Sequence, residues 1–369
     1  MREPAYWIPM TLVMIVPGLV YFLMPLIARR GLLFGAYVGE QGAISEEARR
    51  ITRRWYVGMT LWLAASIAAG LLAGFSLHPA AAPPTAFVLL MAGYVVEYLR
   101  AYWKALQLAP AGPPPAAAVI EAAQDASRGW LPWMAFGLGV AGGLFAIGYA
   151  WFHYGELPAM VPTHFGPSGR PDAWRPRSFF TVMLTPILTL LMGTVLGGVA
   201  LLVAHAKRAI RHPDQGASFR AQQRFRSAMS RFLAVVAILT TLMLVSLGVS
   251  AIRVGLGESP GLSPSFMILA VLMLLCAIGG ILYIALRYGQ GGSRLEREAA
   301  GAPLTDGLAD NRNWVLGAFY VNRDDPSLMV EHRFGLGYTL NFGNPKAVAL
   351  LAGFLGLVLI VVVVAILTN

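Results

Sequence analysis

Residues 265–286 read SFMILAVLMLLCAIGGILYIAL, a run without one charged side chain. An α-helix rises about 1.5 Å per residue and the hydrocarbon core of a bilayer is about 30 Å thick, so about 20 apolar residues are enough to cross it. A helix in lipid also satisfies its backbone hydrogen bonds within one segment. The run therefore predicts a membrane-spanning α-helix, and the fold depends on how often such runs recur.

Composition indicates a membrane protein over the whole chain. Of the 369 residues, 57% are hydrophobic and 12% are charged, with a mean hydropathy of +0.63. A soluble domain carries roughly 25% charged residues. These values argue against a soluble enzyme, a disordered chain and a fibre. The single cysteine, Cys276, excludes an intramolecular disulfide framework and any multi-cysteine metal or redox motif.

Eight apolar runs have the length of a membrane span. Their continuous hydrophobicity predicts helices, because strands of a membrane barrel would alternate in polarity over about 10 residues. The third run is the weakest, since Glu97, Arg100 and Lys104 lie in its second half. The eight runs are 6–28, 55–77, 85–107, 131–153, 179–204, 232–252, 265–286 and 347–367.

Lysine and arginine are distributed unevenly over the loops. Of the 28 basic residues, 23 fall in every second loop. Because loops rich in lysine and arginine stay in the cytoplasm, we expect both termini and the loop at 154–178 to lie outside a bacterial inner membrane. The positive charge also favours anionic lipid headgroups as partners. Nucleic acid is not expected, because no recognisable nucleic-acid-binding fold accompanies the charge.

The outer loop, residues 154–178, has a composition that favours a fixed shape. Four prolines and three glycines lie between residues 155 and 171. Proline presets φ and glycine permits positive φ, so these residues restrict the path of the chain. The loop presents His164, Asp172, Trp174 and Arg175 near the membrane surface, where the amphipathic tryptophan ring suits the headgroup level.

A spaced motif runs through this loop: Pro162, His164, Phe165, Gly169, Asp172 and Trp174. It resembles the motif of a bacterial multi-pass membrane family that includes the SdpI-like immunity and signalling proteins. The resemblance covers the loop and its two flanking spans, with Gly166 where the family commonly has asparagine. It implies a membrane protein whose relatives include immunity factors against a secreted killing peptide and sensors that sequester a transcriptional repressor. It also implies that the six motif residues are candidate ligand contacts.

The last cytoplasmic loop contains a second pattern, in residues 313–345. Aromatic and β-branched residues surround a turn cluster, which predicts a small β-hairpin-like element leaning on the cytoplasmic helix ends. We expect Asp324 and Asp325 to cap this turn rather than bind a cation. The pattern consists of Trp314, Tyr320, Asn322, Asp325, Pro326, Arg333, Gly335, Gly337 and Asn341. It resembles a domain of unknown function found in bacterial membrane proteins.

Few side chains suggest chemistry inside the membrane. Glu97 lies within a predicted span, where a charge costs about 2.5–3.5 kcal/mol and often marks a pathway. Arg100 is three residues further along the helix, so a structural ion pair is favoured over a proton or ion relay. Four residues at the outer face are of types that zinc accepts, but they lack a tight metal-ligand spacing: His153, Glu156, His164 and Asp172. We therefore expect no catalytic residues, metal or cofactor.

These patterns together predict an all-α integral membrane protein with about eight transmembrane helices and a small β-hairpin-like cytoplasmic element. We expect a non-enzymatic immunity or signalling function toward an extracytoplasmic peptide or small molecule, with a cytoplasmic regulator as a further partner. Transport is the alternative, and a membrane-embedded metal-dependent enzyme is a third possibility. The expected parts are a three-helix region at 1–130, the motif-bearing unit at 131–204, helices six and seven with a basic loop at 205–286, the β-containing segment at 287–346 and the last helix at 347–369.

Overall fold

The computed structural model of the protein consists mainly of long α-helices. It describes residues 21, 22, 24–26, 28, 31–78, 81–110, 129–166, 168–205, 215–292, 294, 295 and 310–367. The helices in this part of the chain are α1 (Gly39–Ile44), α2 (Glu46–Ser76), α3 (Ala82–Leu106), α4 (Trp130–His153), α5 (Phe179–Ala204), α6 (Gln215–Gly255), α7 (Pro264–Arg287) and α8 (Pro345–Leu367).

Six of these helices, α2 to α7, are long and apolar enough to cross a membrane. The chain is therefore a multi-pass helical membrane protein. The predicted number of eight spans is not confirmed. The first predicted span, 6–28, lies mostly outside the described residues, and the last coincides with α8, along which the side chains are described continuously only over Pro345–Ile360.

Serine hydroxyls cap three of the long helices. Ser45 Oγ accepts a hydrogen bond from the N–H of Ala48 at 3.2 Å, and Ser178 and Ser263 cap α5 and α7 in the same way. Such a bond satisfies one of the N–H groups that the first helical turn leaves without a partner. Glu46 and Glu47 add negative charge to the first turn of α2, which stabilises a helix start. The cap explains why α2 begins before the predicted span at 55–77.

Glycines bring α4 and α5 into close contact. A Cβ atom added at Gly139 would lie 2.4 Å from the carbonyl oxygen of Gly193, and one added at Gly143 would lie 2.3 Å from Cα of Leu190. Small residues at such positions let the backbones of membrane helices approach each other. The principal helix contacts join α4, α5 and α6 to one another and α7 to α6, while α2 packs against α3.

The described residues form four two-stranded antiparallel hairpins. Only one β-hairpin-like element was predicted, in the last cytoplasmic loop, where the structure has two hairpins joined by a bridge between Tyr320 and Asn341. The all-α expectation is therefore incomplete, since two further hairpins lie between helices elsewhere. The strands are β1 (Leu32–Leu33), β2 (Ala36–Tyr37), β3 (Met160–Phe165), β4 (Pro171–Pro176), β5 (Trp314–Val315), β6 (Phe319–Tyr320), β7 (Met329–Glu331) and β8 (Tyr338–Leu340).

Residues 310–344 are here called the C-terminal β element. They connect the α2–α3 pair of helices with the group formed by α4 to α7. Tyr98 on α3 donates a hydrogen bond from its hydroxyl to the carbonyl of Leu316 at 2.8 Å. Phe225 on α6 lies against Tyr338, with ring centroids 6.4 Å apart. These contacts involve the last turns of α3 and the first half of α6, so the element lies at the opposite end of the helices from the β3–β4 hairpin.

Candidate functional site

The β3–β4 hairpin is an irregular pair of strands connecting α4 to α5. Its register runs from Met160 opposite Pro176 to Phe165 opposite Pro171, and it shifts on both sides of His164. Gly169 adopts φ +74° in the connecting turn, a conformation that favours glycine. A register shift of this kind twists a strand and redirects the local side chain.

Buried residues hold this hairpin on the helices. Leu157 and Val161 are 5% and 4% exposed and belong to an apolar cluster with Ile252 of α6. Arg177 donates from Nη1 to the carbonyl oxygens of Tyr154 and Leu157, which closes the base of the hairpin. Such anchors turn the loop into a fixed cover over the ends of α5 and α6.

His164 and Asp172 form a hydrogen bond across the two strands. The distance from Nδ1 of His164 to Oδ1 of Asp172 is 2.5 Å, and the side chains are 70% and 51% exposed. An ionised carboxylate only accepts hydrogen bonds, so Nδ1 carries the proton and Nε2 remains for a ligand. A Cβ atom at Gly166 would lie 3.1 Å from Oδ2 of Asp172. The asparagine that the resemblance leads one to expect at position 166 would therefore stand beside this pair.

A cavity of about 1010 Å³ lies beneath the hairpin. Its roof is formed by β3 and β4, including Pro162, His164 and Phe165, and its walls come from four helices. The wall residues are almost all apolar: Phe180, Leu184 and Ile187 of α5, Leu247, Gly248 and Ala251 of α6, Phe266, Met267 and Ala270 of α7, and Leu357 and Ile360 of α8. The volume is at the upper end of the range of about 300–1,000 Å³ that is usual for small-molecule sites.

One wall of the cavity contains a proline within a helix. Pro186 of α5 has no N–H, so the carbonyl of Val182 cannot receive the usual helical hydrogen bond from it. Both residues line the cavity together with Thr185. The apolar wall therefore contains a small polar area formed by a backbone carbonyl and a hydroxyl.

The structure separates the six loop residues into different roles. Pro162, His164 and Phe165 line the cavity, whereas Trp174, 45% exposed, lies opposite Pro162 without lining it. Gly169 accepts a hydrogen bond at its carbonyl from the N–H of Leu262 at 2.8 Å. The turn of the hairpin is thereby attached to the loop between α6 and α7.

The second predicted set lies at the other end of the helices and is not brought together with the first. Asn341 is fully buried and makes four hydrogen bonds to backbone groups of Asn322, Asp325 and Gly343. Asp325 accepts from the N–H of Ser327 at 2.9 Å, as expected for a turn cap. The expected cap by Asp324 is wrong, because its side chain makes no hydrogen bond within the described structure. Gly335 and Gly337 adopt φ values of +118° and +104°. Pro326 contributes a carbonyl that accepts from Asn344 at 2.9 Å.

Arg333 joins the C-terminal β element to the β1–β2 hairpin. It is 2% exposed, and its Nη1 donates to the carbonyl of Gly35 at 3.2 Å and to Oδ1 of Asn311 at 2.7 Å. Its guanidinium carbon lies 4.9 Å from the centroid of the Trp314 ring. Planar guanidinium groups stack well on aromatic rings. These contacts indicate a structural role for Arg333 and Trp314.

Burial and hydrogen bonding shift the pKa values of three side chains in the C-terminal β element. It lowers the pKa of His332 to about 4 and raises the pKa of Tyr320 to about 12. The hydrogen bond from Arg312 lowers the pKa of Asp310. His332 is therefore neutral at pH 7 in the folded element.

The intramembrane pair forms as predicted. Nη1 of Arg100 lies 3.1 Å from Oε1 of Glu97, whose side chain is 7% exposed. A Cβ atom added at Gly58 of α2 would lie 2.4 Å from the carboxyl carbon of Glu97. The carboxylate is thus packed between α2 and α3 and is far from the cavity under the hairpin.

The histidine and acidic residues considered as metal ligands form separate pairs. Nδ1 of His153 lies 2.7 Å from Oε2 of Glu156, apart from the His164–Asp172 pair. Across the described part of the chain, no three His, Cys, Asp or Glu side chains are close enough together to hold a metal ion.

The sequence placed Arg175 on the outer loop, but it did not reveal the cavity that this residue lines. Arg175 lines the cavity opposite Val161, and its importance depends on walls that come from four helices far apart in the chain. Its position directly after the conspicuous Asp172-x-Trp174 sequence was the available signal. Arg177 was counted only as a loop charge, although its position before α5 fits a residue that binds the carbonyls at the end of α4.

Comparison with known families finds two matches in the chain. A model described as a domain of unknown function (DUF1648) matches residues 142–190, and a model described as a family of unknown function (DUF5808) matches residues 323–348. Neither description names an activity, and the SdpI-like assignment is not confirmed. No curated protein and no solved structure matches the chain. The chain is therefore a multi-pass membrane protein with segments similar to two families of unknown function, one containing the β3–β4 hairpin and the other most of the C-terminal β element.

Proposed function

We propose that the protein is a non-enzymatic protein of the bacterial inner membrane that binds an extracytoplasmic peptide or small molecule. This binding would serve immunity or signalling. The observation that carries this proposal is the cavity of about 1010 Å³ beneath the β3–β4 hairpin. Large apolar pockets with a few converging polar groups are the usual form of ligand sites. Here the polar groups are on the hairpin and the apolar surface is on the helices.

The chemistry around the cavity supports binding rather than catalysis. A histidine oriented by a carboxylate resembles part of a catalytic triad, but such a triad also needs an activated nucleophile. The described cavity lining contains no serine, cysteine or lysine. Three threonines line it: Thr163, Thr181 and Thr185. However, His164 is hydrogen-bonded to Asp172 rather than to a threonine. The Thr181 hydroxyl is hydrogen-bonded to Ser178 at 2.7 Å. The His164–Asp172 pair is thus better suited to hold a ligand.

The charge distribution supports an extracytoplasmic position for this site. Basic residues concentrate in the loops at the end of the helices opposite the hairpin, which favours a cytoplasmic position for that end. The same residues favour contact with anionic lipids. In this orientation the C-terminal β element would face a cytoplasmic regulator.

Helix α8 offers a connection between the two ends. Leu357 and Ile360 line the cavity, whereas Asn344, directly before the helix, donates to the carbonyl of Pro326 at 2.9 Å. A ligand that displaces α8 at the cavity would also move the C-terminal β element, because α8 is a rigid segment that connects the cavity with this element. Glu97 takes no part in this path, and its packing against Gly58 favours a structural role over ion-coupled transport.

Binding of a panel of synthetic hydrophobic peptides and small amphiphilic molecules to the protein in nanodiscs tests the proposal. Gly248→Leu would fill the cavity, since a Cβ atom there has an ordinary contact of 3.7 Å with Thr185. Gly148→Leu is the matched control, because no atom lies within 4 Å of an added Cβ on that face of α4. We expect binding to fall in Gly248→Leu and in a His164→Ala/Asp172→Ala variant only. Equal binding by all four proteins, or none by the wild type, would contradict the proposal.

A further inference from the structure

The cavity has an uneven distribution of charge. Arg175 is a cation at its roof, and within the described chain no side chain forms an ion pair or hydrogen bond with its guanidinium. The neighbouring polar side chains are engaged: Nδ1 of His164 is hydrogen-bonded to Asp172, and Arg177 donates to backbone carbonyls. The roof therefore offers one uncompensated positive charge above apolar walls.

The cavity is also shallow and open toward the lipid. Its wall on α5 extends from Phe180 to Ile187, and seven residues at about 1.5 Å each give a depth of about 10 Å. This is about a third of a hydrocarbon core of about 30 Å. Phe180 and Met267 on its lining remain 38% and 46% exposed, so the protein does not close the cavity completely between α5 and α7. A molecule within the adjacent leaflet can therefore enter sideways.

We propose that the cavity binds a single-chain amphiphile with an anionic head, whose chain lies between α5, α6 and α7 and whose head lies against Arg175. The inference rests on the proposed function and specifies its ligand. A carboxylate head would receive charge-assisted hydrogen bonds from the guanidinium, and from Nε2 of His164 when that ring is protonated. The apolar walls favour an alkyl chain, because burying it needs no polar partners.

The wall chemistry disfavours an extended peptide in the same space. Each of its residues would bring a backbone N–H and C=O into the cavity, and a buried polar group without a partner is costly. The helical walls offer only Thr181, Thr185 and the carbonyl of Val182 as nearby polar groups. A cationic amphiphile is disfavoured for another reason, since its head would lie beside Arg175.

Binding of radiolabelled palmitate to the protein in zwitterionic nanodiscs, with empty nanodiscs subtracted, tests this inference. Hexadecanol and hexadecyltrimethylammonium are the competitors with a neutral and a cationic head. We expect palmitate to bind most tightly, and we expect Arg175→Gln to raise its Kd about tenfold, as the loss of one charged hydrogen bond predicts. Arg170→Gln on the same hairpin is the control, because Arg170 does not line the cavity.

The variants distinguish failure of this inference from failure of the proposed function. If Gly248→Leu abolishes palmitate binding but Arg175→Gln does not weaken it, or if hexadecanol binds equally well, the cavity still binds ligands and the anionic head is wrong. If no amphiphile binds while a hydrophobic peptide binds through the cavity, the ligand class is wrong. Palmitate binding unchanged in both Gly248→Leu and a second cavity-filling variant, Ala270→Leu, would overturn the site itself.

Discussion

Replacing Asn341 with aspartate should open the C-terminal β element, because this one side chain satisfies four backbone groups. Its Oδ1 accepts from the N–H groups of Asn322 at 3.1 Å and Gly343 at 3.0 Å. Its Nδ2 donates to the carbonyls of Asn322 and Asp325, both at 2.8 Å. Aspartate has the same shape, but it places a carboxylate oxygen against these two carbonyl oxygens.

The cost follows from the bonds that are lost. A neutral hydrogen bond contributes about 0.5–1.5 kcal/mol, and a buried polar group without a partner costs about 1–3 kcal/mol, more when it is charged. Two lost bonds and two unpaired carbonyls therefore predict a loss of about 3 kcal/mol or more for Asn341→Asp. Alanine, which removes all four bonds, should cost about 2–6 kcal/mol.

Hydrogen exchange of the peptides covering residues 314–345 measures this loss as local opening. A loss of about 3 kcal/mol corresponds to a fall in protection of about a hundredfold. The control is Asp324→Asn, since the Asp324 side chain is exposed and makes no hydrogen bond within the described structure. Protection of Asn341→Asp within about twofold of the wild type, as for an ordinary surface substitution, would refute the reasoning.

Three further changes test other parts of the molecule. Gly139→Ala should destabilise the α4–α5 contact by about 1–3 kcal/mol through overpacking. Gly137→Ala is the control and should not destabilise it, because no atom lies within 4 Å of the added Cβ. Equal melting temperatures of the two variants in detergent would contradict the close contact. Because His332 has a pKa of about 4 when folded and 6.5 as a free side chain, stability should fall by up to about 3 kcal/mol as the pH drops from 6.5 to 4. His332→Gln should flatten this dependence in hydrogen exchange, and an unchanged wild-type profile would disagree with it. Glu97→Gln should change the unfolding free energy by about 1 kcal/mol or less, since Arg100 is 48% exposed and its long side chain can reach the membrane surface when the pair is lost. Loss of an ion flux in this variant would favour transport.

The long helices could be predicted from the sequence because lipid imposes a simple rule on them. A span needs length and few charges, and 179–204 meets both conditions, so its predicted bounds equal those of α5. The β3–β4 hairpin shows where such rules end. Pro162, Pro171 and Pro176 argue against strands, because proline donates no hydrogen bond to a sheet. A two-stranded hairpin accepts them, since each of its strands is an edge strand.

The cavity depends on distances in sequence that no local pattern encodes. Its roof at His164 and its wall at Leu357 are nearly two hundred residues apart, and both are needed to enclose the space. The C-terminal β element was partly predictable, because its aromatic residues and glycines mark strands and turns. Its attachment was not, because the partner of Arg333 is the backbone carbonyl of Gly35, which carries no side-chain signal.

The bond between Arg333 and Gly35 has a consequence for biosynthesis. The two residues are 298 positions apart, and a ribosome that adds about 5–20 residues per second needs about 15–60 s to pass from one to the other. During this interval α2 and α3 are already available for insertion while the segment that fastens them to the other helices has not been made. Newly inserted chains should therefore pass through a stage in which the β1–β2 hairpin is accessible to proteases and chaperones, and a nascent chain that stalls before residue 333 should remain in that stage.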